Sequence, residues 1–266
     1  MLKFNVIAII LLTITFAVEL ILLLHQRPEK KMIRDVKANI QIGACLILLG
    51  VFMKGVQLSL YTFAYSFSIF KPEYTWWLWI AGILSCDLIH YCYHLLGHRT
   101  RIFWAAHVTH HSSEFLNLSI GWRTNFLHLF YRFLFWTPLC YIGFPPVMVI
   151  FIETITSIHN FLIHTEKVGK LGMIDIIFNT PSNHRVHHGT NPEYVDKNIG
   201  GIFMIYDHLF GTYEKETAPA VYGITHNINT EDPVFIITHE YARLGKELPK
   251  IRGIKQKIRY LFSAPT

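Results

Sequence analysis

Residues 75–96 read TWWLWIAGILSCDLIHYCYHLL, an apolar run with three tryptophans at one end and two histidines towards the other. About 20 apolar residues in helical conformation cross a bilayer, and tryptophans gather where the membrane meets water. The run therefore predicts a membrane-spanning helix whose interfacial belt is Trp76, Trp77 and Trp79. His94 then lies at the other end of this helix, on the opposite side of the membrane.

The overall composition agrees with a membrane protein. Of the 266 residues, 52% are hydrophobic and 16% are charged, whereas a soluble domain carries roughly 25% charged residues. The net charge is +6, and the basic residues flank hydrophobic segments, which suits anionic lipid headgroups better than nucleic acid. The four cysteines lie in apolar runs without a CxxC pair, so we expect neither a disulfide scaffold nor a zinc–thiolate site.

Further apolar segments lie on both sides of this run. Residues 4–24 contain one charge and are followed by HQRPEKK rather than by a small-residue cleavage site, which favours a retained transmembrane helix over a secretory signal. A second span covers 40–70 and is interrupted by Lys54. The segments 126–142 and 147–163, separated by GFPP, predict a helical hairpin. The predicted fold is an all-α membrane bundle of about four to five spans with a histidine-rich cap.

The orientation follows from the basic residues. Residues 27–37 hold five basic and two acidic side chains, which is typical of a cytoplasmic loop. Counting the spans from this loop places all the histidine clusters described below on the cytoplasmic face. We therefore expect a multi-pass protein with a cytoplasmic cap.

Histidine spacing is the strongest chemical signal. The pattern HxxxH is followed by two copies of HxxHH, and helical spacings of three and four residues put the histidines of each motif on one side of its helix; the eight residues are His94, His98, His107, His110, His111, His184, His187 and His188. Eight imidazoles exceed the three or four that one ion needs and suit two ions. Imidazole binds zinc, copper, iron and nickel, so these residues alone leave the metal open. The alternative is an exposed histidine-rich tract or a proton relay.

Four other residues are weighed beside this set. His164 emerges from the predicted hairpin on the same face and is a ninth candidate ligand. Asp87 lies two helical turns before His94, and we expect it to orient a ligand histidine by accepting its second N–H. His90 could join the site, and His159 faces elsewhere. No role is expected for His25, His128 and His239.

The histidine motifs resemble those of the fatty acid hydroxylase/sterol desaturase superfamily of membrane di-iron enzymes. Four phrases are similar to its alkylglycerol monooxygenase-like bacterial members: WAAHVTHHSSEFLNLS, NTPSNHRVHHGTNPEYVDKNIGG, DHLFGTYEKE and YGITHNINT. The resemblance covers roughly 80–230, and it implies that the eight patterned histidines hold two Fe ions. It also implies O2, a lipid substrate and an external electron donor of the tetrahydrobiopterin, cytochrome b5 or ferredoxin type, among which the sequence does not choose.

The resemblance divides the chain into transmembrane anchor spans (1–85), a di-iron catalytic domain containing the hairpin (86–235) and a basic tail (236–266). It implies an O2-dependent lipid hydroxylase or ether-lipid monooxygenase. A sterol or acyl-lipid desaturase on the same metal core is the first alternative, and a membrane metal-binding or transport protein is a remote one. No HExxH motif of a zinc hydrolase is present. The tail predicts either an interfacial amphipathic helix or a helix packed on the cap.

Overall fold

A computed structural model describes residues 2–265, apart from the side chains of residues 2–6 and of Leu48. Over this range the chain is helical and has no β-strand beyond two isolated bridges, so the predicted all-α class is confirmed. The α-helices are α1 (Leu2–His25), α2 (Lys30–Ser66), α3 (Trp76–Arg99), α4 (Arg101–His111), α5 (His128–Tyr131), α6 (Thr137–Ile142), α7 (Pro146–Leu162), α8 (Ile174–Ile177), α9 (Pro181–His187), α10 (Ile205–Phe210), α11 (Pro233–Glu247) and α12 (Ile254–Leu261). Short 3-10 turns cover Leu118–Trp122, Arg132–Phe135 and Leu248–Lys250.

The basic segment 27–37 is mostly helical rather than a loop, because α2 begins at Lys30. Two polar side chains of α2 explain this. Asp35 and Asn39 lie one turn apart and both accept hydrogen bonds from the Arg123 guanidinium, at 2.9 and 2.8 Å. All three are buried, so this stretch of α2 packs against the cap instead of extending into solvent. The cap is the part of the chain that surrounds the histidine motifs, namely α4, α9 and α11 with the segments next to them.

The membrane prediction is supported in part by helix length and composition. Among the described residues, Ile7–His25 is long and apolar enough to cross a membrane. The halves of α2, Lys30–Ile47 and Leu49–Ser66, meet at 47° and would make a second span if counted together. Four to five spans remain a prediction.

The predicted hairpin has only one intact arm. The second arm is α7, but 126–142 is divided into α5, a 3-10 turn and α6. Pro138 lies in the first turn of α6, and a proline has no N–H with which to continue a helix from the preceding turn. At the end of α6, the carbonyls of Tyr141 and Ile142 accept backbone hydrogen bonds from Ile69 N and Phe70 N, so the broken arm packs against the segment that follows α2.

An apolar core joins α2, α3, α6 and α7 below the cap. Its most buried members include Tyr61, Trp136 and Cys140. Helix α1 is attached through its buried carboxylate, because Glu19 accepts hydrogen bonds from Leu118 N and Thr165 Oγ1 at 2.7 and 2.5 Å. The bundle therefore holds the C-terminal ends of α3 and α7 together, and the histidines gather at those ends.

Candidate metal centre

The two HxxHH motifs are divided between two clusters of nitrogen atoms. In each cluster, one nitrogen atom per residue lies within 4.8 Å of all the others. The five-histidine group consists of His94, His98, His107, His111 and His187. The four-histidine group consists of His110, His164, His184 and His188. All nine sequence-predicted candidates are thus brought together.

The division is reciprocal between α4 and α9. Helix α4 contributes His107 and His111, one turn apart, to the five-histidine group and His110 to the other. Helix α9 contributes His187 to the five-histidine group, and His184 and the C-cap residue His188 to the four-histidine group. The three histidines of each motif therefore do not enter one group: two enter one group and the third enters the other. Each of the two helices carries one copy of the motif, and each helix contributes histidines to both groups.

Imidazole nitrogens approach one another closely inside each group. In the five-histidine group, His107 Nε2 lies 3.0 Å from His94 Nε2 and 3.1 Å from His98 Nε2. In the four-histidine group, His164 Nε2 lies 3.0 Å from His110 Nε2 and 2.8 Å from His184 Nε2. Close packing of α3 on α4 allows this, since a Cβ on Gly97 would lie only 3.3 Å from the His107 ring.

In three of these histidines the Nε2 atom, which faces the group, carries a lone pair, because the Nδ1 atom donates its hydrogen to a backbone carbonyl. His94 Nδ1 lies 2.8 Å from Ile199 O and His187 Nδ1 lies 3.0 Å from Lys197 O. A carbonyl oxygen only accepts, and a neutral imidazole has one N–H, so each Nε2 is an acceptor. His164 Nδ1 meets Asn160 O in the same way in the four-histidine group. Lone pairs that face one another at about 3 Å repel unless a cation lies between them, so both groups fit a metal ion.

Burial keeps these imidazoles neutral. Desolvation, reinforced by neighbouring imidazoles, holds the pKa of the α4 and α9 histidines well below its ordinary value; they are His107, His110, His111, His184, His187 and His188. A neutral imidazole is the form that binds a metal. His187 Nε2 is buried without a hydrogen-bond partner among the described residues, as expected of an atom reserved for such an ion.

Asp87 does not have the predicted role. It is 1% exposed, but its oxygens accept hydrogen bonds from Ile202 N at 2.7 Å and Phe203 N at 3.2 Å. A buried carboxylate needs such donors, and the backbone of residues 202 and 203 supplies them. Asp87 therefore anchors the turn at 201–203 to α3 rather than orienting a histidine.

The segment 196–199 supplies the orienting acceptors that the sequence reasoning missed. Asp196 Oδ1 lies 3.3 Å from His98 Nδ1, and the carbonyls of Lys197 and Ile199 face His187 and His94. Asp196 and Asn198 have left-handed backbones, with φ of 58° and 53°, which Asp and Asn tolerate better than most residues. The D-x-N spacing was a turn signal in the sequence, but it does not tell which histidines the turn meets.

Three other histidines lie close to the groups without joining them. His90 is buried between the groups and the core, with its Nδ1 unpartnered. His128, for which no role was expected, stacks on the His107 ring at 6.2 Å and 9° and contacts Tyr93 Oη through Nδ1 at 3.0 Å. His159 belongs to neither group, and its Nδ1 is buried without a hydrogen-bond partner among the described residues.

Two cavities border the histidines from different directions. The inner cavity, of about 180 Å³, is lined by His94, His107, His110, His164 and His184 and extends into the bundle. The outer cavity, of about 350 Å³, is lined by the other four, His98, His111, His187 and His188, and by cap residues such as Trp104, Glu240 and Arg243. No histidine of either group lines both cavities, so the two groups form a layer between them.

The chain is similar to known proteins over the segment that contains both histidine groups. The fatty acid hydroxylase family model matches residues 79–212, which include all nine histidines. Alkylglycerol monooxygenase of Homo sapiens is 34% identical over 233 residues, covering 87% of this chain and 52% of its own length; that of Danio rerio is 35% identical over 236 residues, covering 88% and 52%.

A bacterial relative is more distant. Ornithine lipid hydroxylase OlsE of Rhizobium tropici is 28% identical over 181 residues, covering 67% of this chain and 54% of its own length. The chain thus spans about half the length of these curated relatives, and no solved structure matches it. Since the family model covers half of the chain, including both histidine groups, this protein belongs to the fatty acid hydroxylase family.

Proposed function

We propose that the protein is an integral-membrane, non-haem di-iron oxygenase that uses O2 to hydroxylate a lipid C–H bond, in the manner of a lipid hydroxylase or ether-lipid monooxygenase. The carrying observation is the pair of histidine groups, of five and four, that face one another across α4 and α9. The relatives' names, alkylglycerol monooxygenase and ornithine lipid hydroxylase, support a lipid as substrate.

The nine histidines would hold the two ions, one in each group. When bound, such ions supply redox chemistry with O2 that protein side chains lack. The chain's own part is to fix the imidazoles through acceptors at 196–199 and Asn160, and to provide a cavity beside them. Rings of the two groups are in contact, with His111 and His188 stacked at 4.4 Å, so both ions would act on one substrate.

The two cavities suggest separate routes to the centre. The inner cavity leads into the apolar bundle, so we assign it to the lipid. The outer cavity opens in the cap, so we assign it to the electron donor, whether a pterin or a small electron-transfer protein. With the cap on the cytoplasmic face, the donor would come from the cytoplasm and the lipid from the membrane.

Oxygen-18 tracing tests this proposal. Cells that express the wild type, His110→Ala or His25→Ala are grown under labelled dioxygen, and their lipids are analysed by mass spectrometry. His25 is exposed at the end of α1, far along the chain from both groups, and serves as the matched control.

We expect label in a lipid alcohol or aldehyde with the wild type and His25→Ala, but not with His110→Ala. New double bonds without label would reassign the protein as a desaturase. Identical lipids in all three strains would contradict an oxygenase and favour a metal-binding or transport role.

A further inference from the structure

A third cavity, here called the charged cavity, adjoins the inner cavity deeper in the bundle. It has a volume of about 110 Å³ and is lined by Lys54 and Gln57 of α2, Arg132 and Glu153 among others. Thr124, His128 and Arg132 line both cavities, so the two are adjacent, and together they are here called the compartment. The metal-centre histidines stand at one end of this compartment and the charged residues at the other.

The charged cavity has an excess of positive charge. Lys54 and Arg132 face one carboxylate, Glu153, whose Oε2 already accepts hydrogen bonds from Gln57 and Tyr61 at 2.6 and 3.1 Å. Neither cation forms an ion pair with a carboxylate among the described side chains. Arg132 instead lies over the Trp136 ring at 5.2 Å. A cation that is partly buried or faces lipid is costly without a counter-charge, so the cavity is suited to receive an anion.

Unpartnered polar atoms line the same compartment towards the metal centre. His90 Nδ1, His128 Nε2 and Asn160 Oδ1 are all buried without hydrogen-bond partners among the described residues, and all three residues line the inner cavity. Buried polar atoms are nearly always satisfied. A ligand with several polar atoms near its anionic group would satisfy both these atoms and the cations.

Gly50 marks the opening of the charged cavity. It lines the cavity, and a Cβ built on it would meet nothing within 4 Å. Lys54, one turn further along α2, is exposed on the outside of the bundle, whereas Arg132 is half-buried. The cavity is therefore reached from the outer face of α2, where we place the membrane.

We propose that Lys54 and Arg132 bind the anionic headgroup of the lipid substrate, a phosphate or a carboxylate, and so select lipids by charge. His128 lines the charged cavity together with these cations, and its ring lies 6.2 Å from the ring of His107 of the five-histidine group. The carbon atoms next to the headgroup, rather than the far end of the chain, then lie at the metal centre. This inference rests on the proposed function only in taking the ligand to be a lipid.

The test measures binding without turnover. Iron-loaded full-length protein in neutral-lipid nanodiscs, under argon, is titrated with an alkylglycerol phosphate and with the corresponding neutral alkylglycerol. We expect the wild type to bind the phosphate lipid about tenfold more tightly, as charge-assisted hydrogen bonds provide. Lys54→Gln and Arg132→Gln should each remove most of this preference, while Lys37→Gln, exposed on the same helix and outside all three cavities, should retain it.

A pair of glycine variants keeps the test decisive if loss of a cation unfolds the protein. Gly50→Phe should weaken binding of both lipids about tenfold, because the phenyl ring fills the opening and prevents contacts between the lipid and the cavity wall. Gly55→Phe should bind like the wild type, since Gly55 also has open space around it but lines none of these cavities.

Equal affinity of the wild type for the two lipids would overturn the inference, as would unchanged binding in Gly50→Phe. Equal binding of inorganic phosphate would overturn the assignment to a lipid headgroup. A charge preference in a wild type that incorporates no oxygen would reject the proposed function and leave this inference standing.

Discussion

At the scale of single residues, the orientation of each imidazole depends on the atom that its Nδ1 meets. Carbonyl oxygens fill this place for His94, His187 and His164, whereas His98 faces a carboxylate, Asp196. A carboxylate partner makes the opposite imidazole nitrogen more basic than a carbonyl does, and so a stronger ligand. Asp196 also forms an ion pair with Arg99, with 3.4 Å between Oδ2 and Nε, which helps to hold it in place.

Replacing Asp196 with Asn should weaken metal binding at the five-histidine group about tenfold to a hundredfold, the usual effect of losing an orienting partner. Asn accepts the left-handed backbone found there, φ 58°, so the fold should survive. Chelator competition on the purified protein measures the affinity. Glu193→Gln, three residues earlier and exposed, is the matched control, and equal affinities in both variants would deny Asp196 this role.

At the scale of elements, α9 is too short to be stable alone, since isolated helices below about 12 residues are marginal in water. Its contacts keep it in place. Thr180 caps its N-terminus through Asn183 N, and Arg185 forms a two-pronged pair with Glu216, at 2.7 and 2.8 Å. Ser182 donates to the same carboxylate at 2.6 Å. Three of the nine histidines depend on this clamp.

Glu216→Gln should therefore lower the free energy of unfolding by about 3 kcal/mol at neutral pH, as breaking a buried pair does. Burial alone would raise the pKa of Glu216, but hydrogen bonds from Arg185 and Ser182 outweigh it and lower the pKa. A carboxylate with a lowered pKa stabilises the fold above its unfolded pKa, about 4.3, and this stabilisation is lost as the pH falls through the folded pKa. Thermal unfolding of both proteins between pH 7 and pH 3 should show the difference shrinking in acid; a difference that grows in acid would refute the assignment.

The reciprocal division of the HxxHH motifs predicts that adjacent histidines on α4 affect different ions. His110→Ala should deplete the four-histidine group, and His111→Ala should deplete the five-histidine group. Each variant should retain fewer than two metal ions per chain but at least one, because the loss of an imidazole weakens metal binding at its own group and leaves the other group complete. Metal analysis by mass spectrometry gives the ratio, and loss of both ions from His110→Ala alone would indicate a single coupled site.

At the scale of the whole molecule, the four cysteines report on the surroundings of the bundle. Cys45 of α2 and Cys92 of α3 are exposed, whereas Cys86 and Cys140 are buried in the core. If lipid covers the outer faces of α2 and α3, a charged maleimide should leave all four unmodified in intact membranes. It should modify them after the protein is dissolved in a denaturing detergent. Glu193→Cys places a cysteine at an exposed position of the cap. It should react in membranes that are permeable to the reagent but not dissolved, and also in detergent. Rapid reaction of Cys45 in membranes that are not dissolved would show that this face of α2 is in water.

The sequence by itself determined the helical class, the apolar segments and the nine histidines. These features depend on local spacing and hydropathy, which act over a few residues whatever the rest of the chain does. The pattern at 94–98 and both HxxHH motifs could thus be recognised in the linear order of residues. The division of 126–142 into short helices was not predicted, because the apolar content of this segment was given more weight than Pro138.

Only the tertiary structure decided how the histidines are shared, five to one group and four to the other. It also placed Asp196 rather than Asp87 beside a histidine, and Lys54 beside Arg132 in one cavity. These relations join side chains that lie far apart in the chain. Local propensity carries no information on such distances, because the packing of the whole bundle selects which helix faces meet.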